Sequence, residues 1–413
     1  MRNERRSQDE LINIQNTKLR RLIKHAYENV RFYRDIFQEI GLHPEDIKSV
    51  DDIHKTPIID KNDFHQRPYS DLFDKRIKDK DRLVPINTSG SNGLSLRFYI
   101  DRNYDQLRKA QFFRPYLTNG RRVTDRVIWF SGREAAEKRW FQRLGLMREH
   151  KIYSGCNDDS QISMIKEIRP AIIKGYGSVI ALLAAKIVEE HISITSPRII
   201  FTDSELLTEQ MRHTIEKVFN TEVIDIYGTF ETDNIAYECS KHEGYHITTD
   251  CVIMEFLKDG KKTEAGEEGE IVCTVLDNFT MPFIRYNLHD IGSYTNKRCS
   301  CGRTFPLISI IGGRSADYLV DENHLKKSSS SLIAHFHSLA TFIREFQVIQ
   351  EEVTLFKVLV VPGRNFSKNI EQKIRETIWK EFPGVHVTIT LVDKIKREKA
   401  GKFRAIVSNV ASK

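Results

Sequence analysis

One strand-like segment, VIDIYGTFE at residues 223–231, ends in residue types that suit a nucleotide. Tyr227 offers an aromatic face for stacking, and Gly228 lets the backbone turn sharply without a Cβ penalty. Glu231 offers a carboxylate to a hard cation such as Mg²⁺. A tyrosine that ends a strand more often serves packing, so the segment indicates a site only together with other motifs.

A second candidate is the loop NTSGSNG at residues 87–93, which combines two glycines with hydroxyl and amide side chains. The backbone N–H groups and hydroxyls of such a loop can wrap a phosphate chain. It is not a Walker loop, because the GK[ST] ending is absent and a strand-like run follows in place of a helix. A hairpin turn or a linker is the alternative interpretation.

Two further polar groups lie towards the middle of the chain. Asp290, in PFIRYNLHDIG at residues 282–292, could accept hydrogen bonds from two vicinal hydroxyls, as an acidic residue does for a ribose. The alternative is that HDIG forms a β-turn. Arg314 follows two glycines and offers a fixed fork of donors, which suits phosphate or ribose.

Three aromatic residues could wall an apolar substrate pocket. Trp129 and Phe130 lie in a strand-like run, DRVIWFSG at residues 125–132, and Tyr176 follows the end of another such run. Core packing is the alternative for all three.

Alternating strands and helices must position these groups. The apolar patterns predict strands at 171–174, 198–202 and 223–231, and helices at 178–190, with Ser178 as N-cap, and at 208–219. This order is typical of a parallel sheet with crossover helices, an α/β fold. Ligands of such sheets bind beyond the carboxyl ends of the strands, where Tyr227, Gly228 and Glu231 fall.

The two ends of the chain have a different pattern. Residues 10–40 read as one long amphipathic helix, because apolar residues recur every three or four positions without proline or glycine. After residue 315, two alternating runs at 346–350 and 353–361 predict a hairpin, followed by a helix at 367–382 and a strand at 385–392. These elements form a small α+β domain.

Composition narrows the class of protein. The chain has 413 residues, 40% hydrophobic and 29% charged, which is typical of a globular protein of two or three domains. The net charge of +7 is mild and no block of like charge resembles a nucleic-acid tail. Six cysteines in so long a chain favour a reducing compartment. No signal peptide or membrane span is visible, so we expect a cytoplasmic protein without nucleic-acid or membrane partners.

Five motifs occur in a characteristic order: TSGSNG at 88–93, YGTFE at 227–231, RYNLHD at 285–290, GGR at 312–314 and AGKFR at 400–404. Together they resemble the adenylate-forming (acyl-activating) superfamily, and most of all its phenylacetate–CoA ligase and CapK branch. The resemblance covers nearly the whole chain. It implies a large N-terminal adenylation domain at residues 1–314, which includes the leading helix, and a small C-terminal lid domain at 315–413.

The resemblance also implies a role for each matching position. Nucleotide-binding residues would be Thr88, Ser89, Gly90, Ser91, Gly93, Ser204, Glu205, Asp225, Tyr227, Gly228, Thr229, Asp290 and Arg314. Tyr227 would stack on the adenine, Asp290 would bind the ribose, and Glu231 would hold Mg²⁺. Lys402 would bridge the substrate carboxylate and the α-phosphate, with Lys399 as the competing candidate.

Three departures from the family pattern bear on the mechanism. The phosphate loop is followed by Leu94 and Ser95, where many members have a lysine. Phe230 replaces the usual hydroxyl residue of the YGTFE motif, which puts one contact near the α-phosphate in doubt. The hinge acid of the family falls on Ala316, which indicates a different pivot of the lid.

Four residues could form a structural zinc site. Cys239, His246, Cys299 and Cys301 supply three sulfurs and one imidazole, the donor set of a closed tetrahedral site. Some members of the resembled branch carry such a metal. His242 could replace His246, and Cys251 is near in sequence. Unrelated free thiols are the alternative interpretation.

The predicted function is ATP-dependent activation of a carboxylic acid as an acyl-adenylate, followed by acyl transfer to CoA. The three aromatic residues hint at an aromatic acid. An amine or a sugar amine is the alternative acceptor. A non-catalytic nucleotide-binding protein is the alternative from another class, because of Phe230 and Ala316.

Overall fold

The structure is a computed structural model. It describes residues 2–79, 82–88, 96–131, 140–153, 158–312, 319–324, 326–327, 332, 335–336, 339, 342–363, 365–396 and 404–410. The chain forms two compact units, one from Met1–Asn119 with Ile226–Ile311 and the other from Gly120–Asp225 with Gly312–Lys413.

The helices and strands are numbered here in chain order. The described α-helices are α1 (Gln8–Asn29), α2 (Arg31–Glu39), α3 (Lys61–His65), α4 (Arg102–Thr118), α5 (Trp140–Arg143), α6 (Asp158–Ile168), α7 (Gly177–Glu189), α8 (Glu209–Phe219) and α9 (Lys368–Glu381). The described strands are β1 (Val84–Asn87), β2 (Arg97–Ile100), β3 (Val127–Ser131), β4 (Glu149–Tyr153), β5 (Ile172–Gly175), β6 (Ile199–Asp203), β7 (Val223–Thr229), β8 (Asp233–Tyr237), β9 (Tyr245–Ile247), β10 (Val252–Lys258), β11 (Lys261–Lys262), β12 (Gly269–Val275), β13 (Tyr286–Thr295), β14 (Leu307–Gly312), β15 (Leu319–Val320), β16 (Lys326–Lys327), β17 (Ile343–Glu352), β18 (Leu355–Pro362), β19 (His386–Leu391) and β20 (Ile406–Ser408). None of the helices described is long and apolar enough to cross a membrane.

The first unit is built on antiparallel strands. Its strand order is β11-β10-β12-β13-β14-β9-β8-β7, and β7, β8 and β9 form an antiparallel meander. Helix α1 buries Leu19, Leu22 and Ile23 in the same core as Phe283 of the segment before β13. The apolar stripe predicted from the sequence is therefore the packing face of α1.

The predicted single helix over 10–40 is wrong, because the helix breaks at Val30. This residue has extended backbone angles, φ −116° and ψ 112°, and forms an isolated β-bridge with Asp74. The N–H of Lys75 donates to the carbonyl of Asn29 at 2.8 Å, so a distant segment takes one acceptor that would continue the helix, and α2 starts afresh at Arg31.

The second unit contains the predicted parallel sheet. Strands β6, β5, β3 and β4 are neighbours in that order, and each of their pairs is parallel. The succession β5-α7-β6-α8-β7 confirms the strand and helix order expected from the sequence. Thr208 caps α8 by accepting a hydrogen bond from the N–H of Met211 at 3.2 Å.

The C-terminal part of the second unit confirms a small α+β fold. Its sheet has the order β19-β18-β17-β20, in which β17 and β18 form the predicted hairpin. Helix α9 packs Ile370, Ile374 and Ile378 into its own core with the strands. Strand β20 was not predicted. The domain boundary at residues 314 and 315 stays a prediction, because the two compact units divide the chain differently.

Candidate active site

Two predicted nucleotide-binding residues meet in the first unit. The Tyr227 hydroxyl donates a hydrogen bond to Oδ2 of Asp290 at 2.7 Å, although the two residues are 63 positions apart. Both side chains are half-buried. Tyr227 lies near the end of β7 and Asp290 lies within β13. The phenol thus fixes one oxygen of a half-buried carboxylate, and a carboxylate is a group that accepts hydrogen bonds from ligand hydroxyls.

Asp290 is presented by a bulged strand. The alternative reading of HDIG as a β-turn is wrong, because β13 continues through these residues. Four steps along β13, from Asn287 to Ile291, oppose two steps along β12, from Val272 to Glu270. His289 takes up the extra length with a positive φ of 59°. Such bulges re-aim side chains, here that of Asp290.

Gly228 is required by a close approach and not by a turn. A Cβ at this position would lie 2.0 Å from the carbonyl oxygen of Asp233 in the paired strand β8. The sequence argument for a sharp turn was therefore wrong for this residue. The tight pairing of β7 and β8 sets the position of the hairpin tip that follows.

Glu231 lies at that hairpin tip and is half-buried. Its nearest recorded partner is the hydroxyl of Tyr286, which donates to Oε1 at 3.5 Å. Arg108 holds the tip through the carbonyl oxygen of Phe230 at 3.2 Å and the carboxylate of Asp233 at 3.1 Å. Thr229 contacts Thr232 through their hydroxyls at 3.1 Å. A single half-buried carboxylate suits Mg²⁺, because substrate phosphates and water usually supply the other ligands of this ion in proteins.

The predicted phosphate loop begins at the neck of a hairpin. The N–H of Leu96 donates to the hydroxyl oxygen of Thr88 at 2.8 Å, and the N–H of Thr88 donates to the carbonyl of Leu96 at 2.9 Å. Strands β1 and β2 pair antiparallel on either side. The loop residues Ser89, Gly90, Ser91 and Gly93 lie outside the described residues. The same is true of Arg314, Ala316, Lys399 and Lys402.

The three remaining candidates for the nucleotide pocket lie in the second unit. Asp225 is buried and accepts a hydrogen bond from the Thr202 hydroxyl of the neighbouring strand. Glu205 accepts from the N–H of Ser178 at 3.2 Å, while Ser204 bonds Asp203 and has a positive φ of 67°. Helix α7 thus starts at Gly177, and the predicted capping role of Ser178 is wrong because Glu205 takes that place.

The three aromatic residues do not share one pocket wall. Phe130 and Tyr176 belong to the buried core of the second unit. Trp129 points to the opposite face of β3, since successive side chains of a strand alternate. There its ring lies between two lysines, with Nζ of Lys174 at 3.8 Å and Nζ of Lys151 at 4.3 Å from the ring centroid. A common apolar pocket of all three is therefore wrong.

Lys174 was missed by the sequence argument. Its side chain is fully buried in β5, and its Nζ lies 3.2 Å from Glu149, which also pairs with Arg121 at 2.9 Å. Burial lowers the pKa of Lys174 to about 8, and Glu149 opposes this effect. The sequence shows a lysine within an apolar strand, but it does not show which carboxylate would pair with that lysine in the interior.

The predicted zinc ligands converge. The ligand atoms of Cys239, His246, Cys299 and Cys301 all lie within 4.8 Å of one another. Sγ of Cys239 is 3.6 Å from Sγ of Cys299, and Sγ of Cys301 is 3.5 Å from Nε2 of His246. Bonds of about 2.0–2.3 Å to a tetrahedral zinc ion imply ligand separations of this size. The two alternatives lie elsewhere, since His242 faces Glu238 and Cys251 contacts Asp250.

The surroundings of this cluster suit a metal. Nδ1 of His246 lies 3.3 Å from the carbonyl of Phe305, which leaves Nε2 for an ion. Burial lowers the pKa of His246 to about 4, so the imidazole is neutral at pH 7. Burial raises the pKa of Cys301, but hydrogen bonds from the Arg303 backbone and its neighbours outweigh burial and bring that pKa below its usual value. The donor set therefore fits Zn²⁺.

Arg303 links the cluster to the start of the chain. Its guanidinium contacts Sγ of Cys301 at 3.6 Å, Oε2 of Glu4 at 3.0 Å and the carbonyl of Thr118 at 2.9 Å. Thr304 adds a backbone hydrogen bond to the carbonyl of Glu4 at 2.8 Å. The CSCGRT sequence showed the thiols, but nothing in it revealed that this arginine would bind a residue 299 positions away.

Comparison with known proteins agrees with this fold. The C-terminal part, residues 319–409, matches the family model for the CapK C-terminal domain. The chain is 28% identical to a phenylacetate-coenzyme A ligase of Aromatoleum evansii, with 98% of this chain and 96% of the relative covered. It is 25% identical to the protein CapK of Staphylococcus aureus, with 97% and 90% covered.

A solved structure has the same fold. This is a 2-hydroxyisobutyryl-CoA ligase in a postadenylation state, which superposes with a TM-score of 0.79 at 19% identity and covers 99% of this chain and 91% of its own. The fold, the order of the motifs and these similarities define an adenylate-forming enzyme class. Within it, the chain is similar to phenylacetate–CoA ligases and to CapK.

Proposed function

We propose that the protein uses ATP to activate a carboxylic acid as an acyl-adenylate and then transfers the acyl group to CoA. The observation that carries this proposal is the hydrogen-bonded pair of Tyr227 and Asp290. It occurs in a chain that matches a phenylacetate-coenzyme A ligase over nearly its whole length. A buried core pair would serve packing alone, whereas both of these side chains are half-exposed.

Different residues of the first unit bind different parts of the nucleotide. The carboxylate of Asp290 accepts hydrogen bonds from the ribose hydroxyls. The ring of Tyr227 stacks on the adenine, and the loop at 88–93 binds the phosphates. Ser204, Glu205 and Asp225 of the second unit, and also Arg314, stay predicted nucleotide-binding residues. Glu231 would hold Mg²⁺, which neutralises charge on the phosphoryl oxygens when it is bound.

The chemistry proceeds in two balanced steps. A carboxylate oxygen of the acid attacks the α-phosphorus, the bond to the bridging oxygen breaks, and pyrophosphate leaves. The CoA sulfur then attacks the acyl carbon, its proton is lost to solvent, and AMP leaves. Lys402 places its ammonium between the carboxylate and the α-phosphate, where charge is shared in the transition state. We assign residues 315–413 as the lid that delivers it.

The cluster of three cysteines and His246 would hold a structural Zn²⁺. Four protein ligands leave no open position for a substrate, and such sites add folding energy. Its residues thus hold the loop after β8 and the segment before β14 together. They take no part in acyl transfer.

The substrate is the least defined part of this proposal. The name of the Aromatoleum relative supports an arylacetic or other aromatic acid. The surroundings of Trp129 do not, because its ring lies between Lys151 and Lys174. We keep an aromatic acid as the first class to test, and an amine acceptor as the alternative to CoA.

The test is pyrophosphate release with Mg-ATP over a panel of aromatic, aliphatic and amino-substituted acids, each with and without CoA. Release that depends on one class of acid, with CoA consumed to form the thioester, is the expected result. Release without CoA consumption would move the acceptor to an amine. Tight ATP binding with silence over the whole panel would favour a non-catalytic nucleotide-binding protein, which Phe230 and Ala316 would then explain.

A further inference from the structure

Exposed apolar side chains and arginines share one surface of the second unit. We call it the basic apolar surface and define it by Arg122, Val123, Trp140, Arg143, Leu144 and Leu146, all of which are exposed. Trp140 at 73% and Leu144 at 71% are the most exposed large apolar side chains among the described residues. Exposed large apolar side chains grouped in one part of the chain mark an interaction site more often than single scattered residues do.

Charge is concentrated in the same part of the chain. Residues 120–151 contain nine lysines and arginines and four acidic residues, an excess of +5 out of the net +7 of the whole chain. The neighbouring Arg121 and Arg198 are neutralised by Glu149 at 2.9 Å and Asp125 at 2.6 Å. Over the described ranges, by contrast, no ion pair joins Arg122 or Arg143 to a carboxylate.

Local hydrogen bonds hold this surface in place. The N–H groups of Leu144 and Leu146 both donate to the carbonyl of Phe141 at 3.1 Å, which closes the turn after α5. The N–H of Met147 donates to the carbonyl of Val123 at 2.6 Å and joins the turn to the segment before β3. Trp140 begins α5 and Leu144 directly follows it, so this short turn carries both exposed apolar side chains.

We propose that the basic apolar surface docks the protein on an anionic lipid membrane. Tryptophan prefers the level of the lipid headgroups, and arginines beside it gain from the negative potential of anionic lipids. A protein interface would more often bury its apolar centre and exclude charge from it, whereas here the exposed Arg143 lies in sequence between the exposed Trp140 and Leu144. This reverses the expectation from the sequence that the chain has no membrane partner. It is independent of the acyl-transfer proposal.

Flotation of the full-length protein with vesicles tests the proposal. We expect the protein to float with vesicles of phosphatidylcholine and phosphatidylglycerol at low salt and to stay free with phosphatidylcholine alone. The double variant R122Q/R143Q should weaken this binding by roughly fivefold for each arginine. Added salt should weaken wild-type binding in the same direction, since it screens exposed charges.

The apolar half of the surface needs its own variants. Tryptophan fluorescence should shift to the blue when anionic vesicles are added, and W140F should lose this shift while it still floats. L144S should float less than the matched exposed control L391S, whose side chain lies elsewhere in the second unit with 49% exposure. K261Q/K262Q is the matched charge control.

Two results would overturn the proposal. The first is that the wild-type protein fails to float with anionic vesicles at low salt, in which case a protein partner becomes the better assignment of this surface. The second is that the control variants lose binding as much as R122Q/R143Q and L144S do. Pyrophosphate release should be unchanged in all of these variants, so failure here is distinguishable from failure of the proposed function.

Discussion

The first unit contains two candidate sites that are built differently. One is the pair of Tyr227 and Asp290, with Glu231 near it in sequence, and the other is the cluster of three cysteines and His246. The first set is half-exposed. Tyrosine hydroxyls contact the carboxylates of Asp290 at 2.7 Å and of Glu231 at 3.5 Å. The cluster is closed, with Cys239 and His246 fully buried and all four ligand atoms within 4.8 Å of one another. Half-exposed acceptors suit a ligand that comes and goes, and buried converging donors suit an ion that stays.

This contrast is also a contrast in charge. The carboxylates of Asp290 and Glu231 suit a ligand that brings hydroxyls or a cation to them. The three thiols and the neutral imidazole of the cluster, in contrast, fill all four coordination positions of one divalent ion and leave none for a substrate. The two regions should therefore fail separately when they are changed.

The largest effect should follow from loss of one ligand of the closed cluster. Structural zinc contributes on the order of 10–16 kcal/mol in small zinc peptides, so C299S should lower the metal content from one equivalent to near zero and lower the thermal stability. Metal analysis of protein purified without chelator, with a melting curve, measures both. C251S is the control, because this buried thiol lies outside the cluster. If the wild-type protein holds less than a few tenths of an equivalent of zinc, the cluster is not a zinc site.

The next effect concerns catalysis and should spare the cluster. We expect K402A to slow adenylation by about 10²–10³, because the transition state loses a cation that costs roughly 3–4 kcal/mol. ATP should still bind and the metal content should stay the same. Pyrophosphate release under single-turnover conditions measures the change. K399A is the matched control, and a loss of activity in K399A alone would show that the C-terminal motif was assigned to the wrong lysine.

Much of the fold was predictable because it depends on local periodicity. The alternation of β5, α7, β6, α8 and β7 follows from short apolar runs and helical spacing, and the C-terminal hairpin follows from alternation. The meeting of Tyr227 with Asp290 and of the four candidate zinc ligands was predicted through motif order and residue type. Local periodicity could not show it, because Tyr227 is far from Asp290 in sequence and Cys239 and His246 are far from Cys299 and Cys301.

The rest depends on partners that the sequence does not place. The break at Val30 needs Asp74 as its bridge partner, and no proline or glycine marks it. The side of β3 on which Trp129 lies was unknown, and so were the two lysines that flank its ring. The bulge at His289 has no glycine to announce it, although a positive φ is uncommon for other residues. Each of these features is set by tertiary pairing.

A smaller effect should separate the two members of the nucleotide-binding pair. D290N removes a charged acceptor, and hydrogen bonds to charged groups are worth about 1.5–3 kcal/mol, so the Kd for ATP should rise about tenfold to a hundredfold. Y227F keeps the ring and loses only the hydroxyl that donates to Asp290, so its Kd should rise less. Calorimetric titration with ATP measures both constants. If Y227F weakens ATP more than D290N does, the hydroxyl contacts the nucleotide directly and Asp290 is its support.

The smallest effect concerns the contacts around the closed cluster. Arg303 touches the sulfur of Cys301 without being a ligand, and it is held by Glu4 at 3.0 Å. Loss of an outer hydrogen bond to a metal ligand typically costs about tenfold to a hundredfold in affinity, so R303Q should release zinc to a chromogenic chelator faster than wild type while one equivalent still binds. R298Q is the matched control, since that arginine is exposed one residue before Cys299.

E4Q should accelerate zinc release less than R303Q does, because Glu4 acts on the metal only through Arg303. Equal release rates in R303Q and R298Q would mean that the cluster holds its ion without help from the start of the chain, and the contact between Arg303 and Glu4 would then serve only to fix the N-terminal turn.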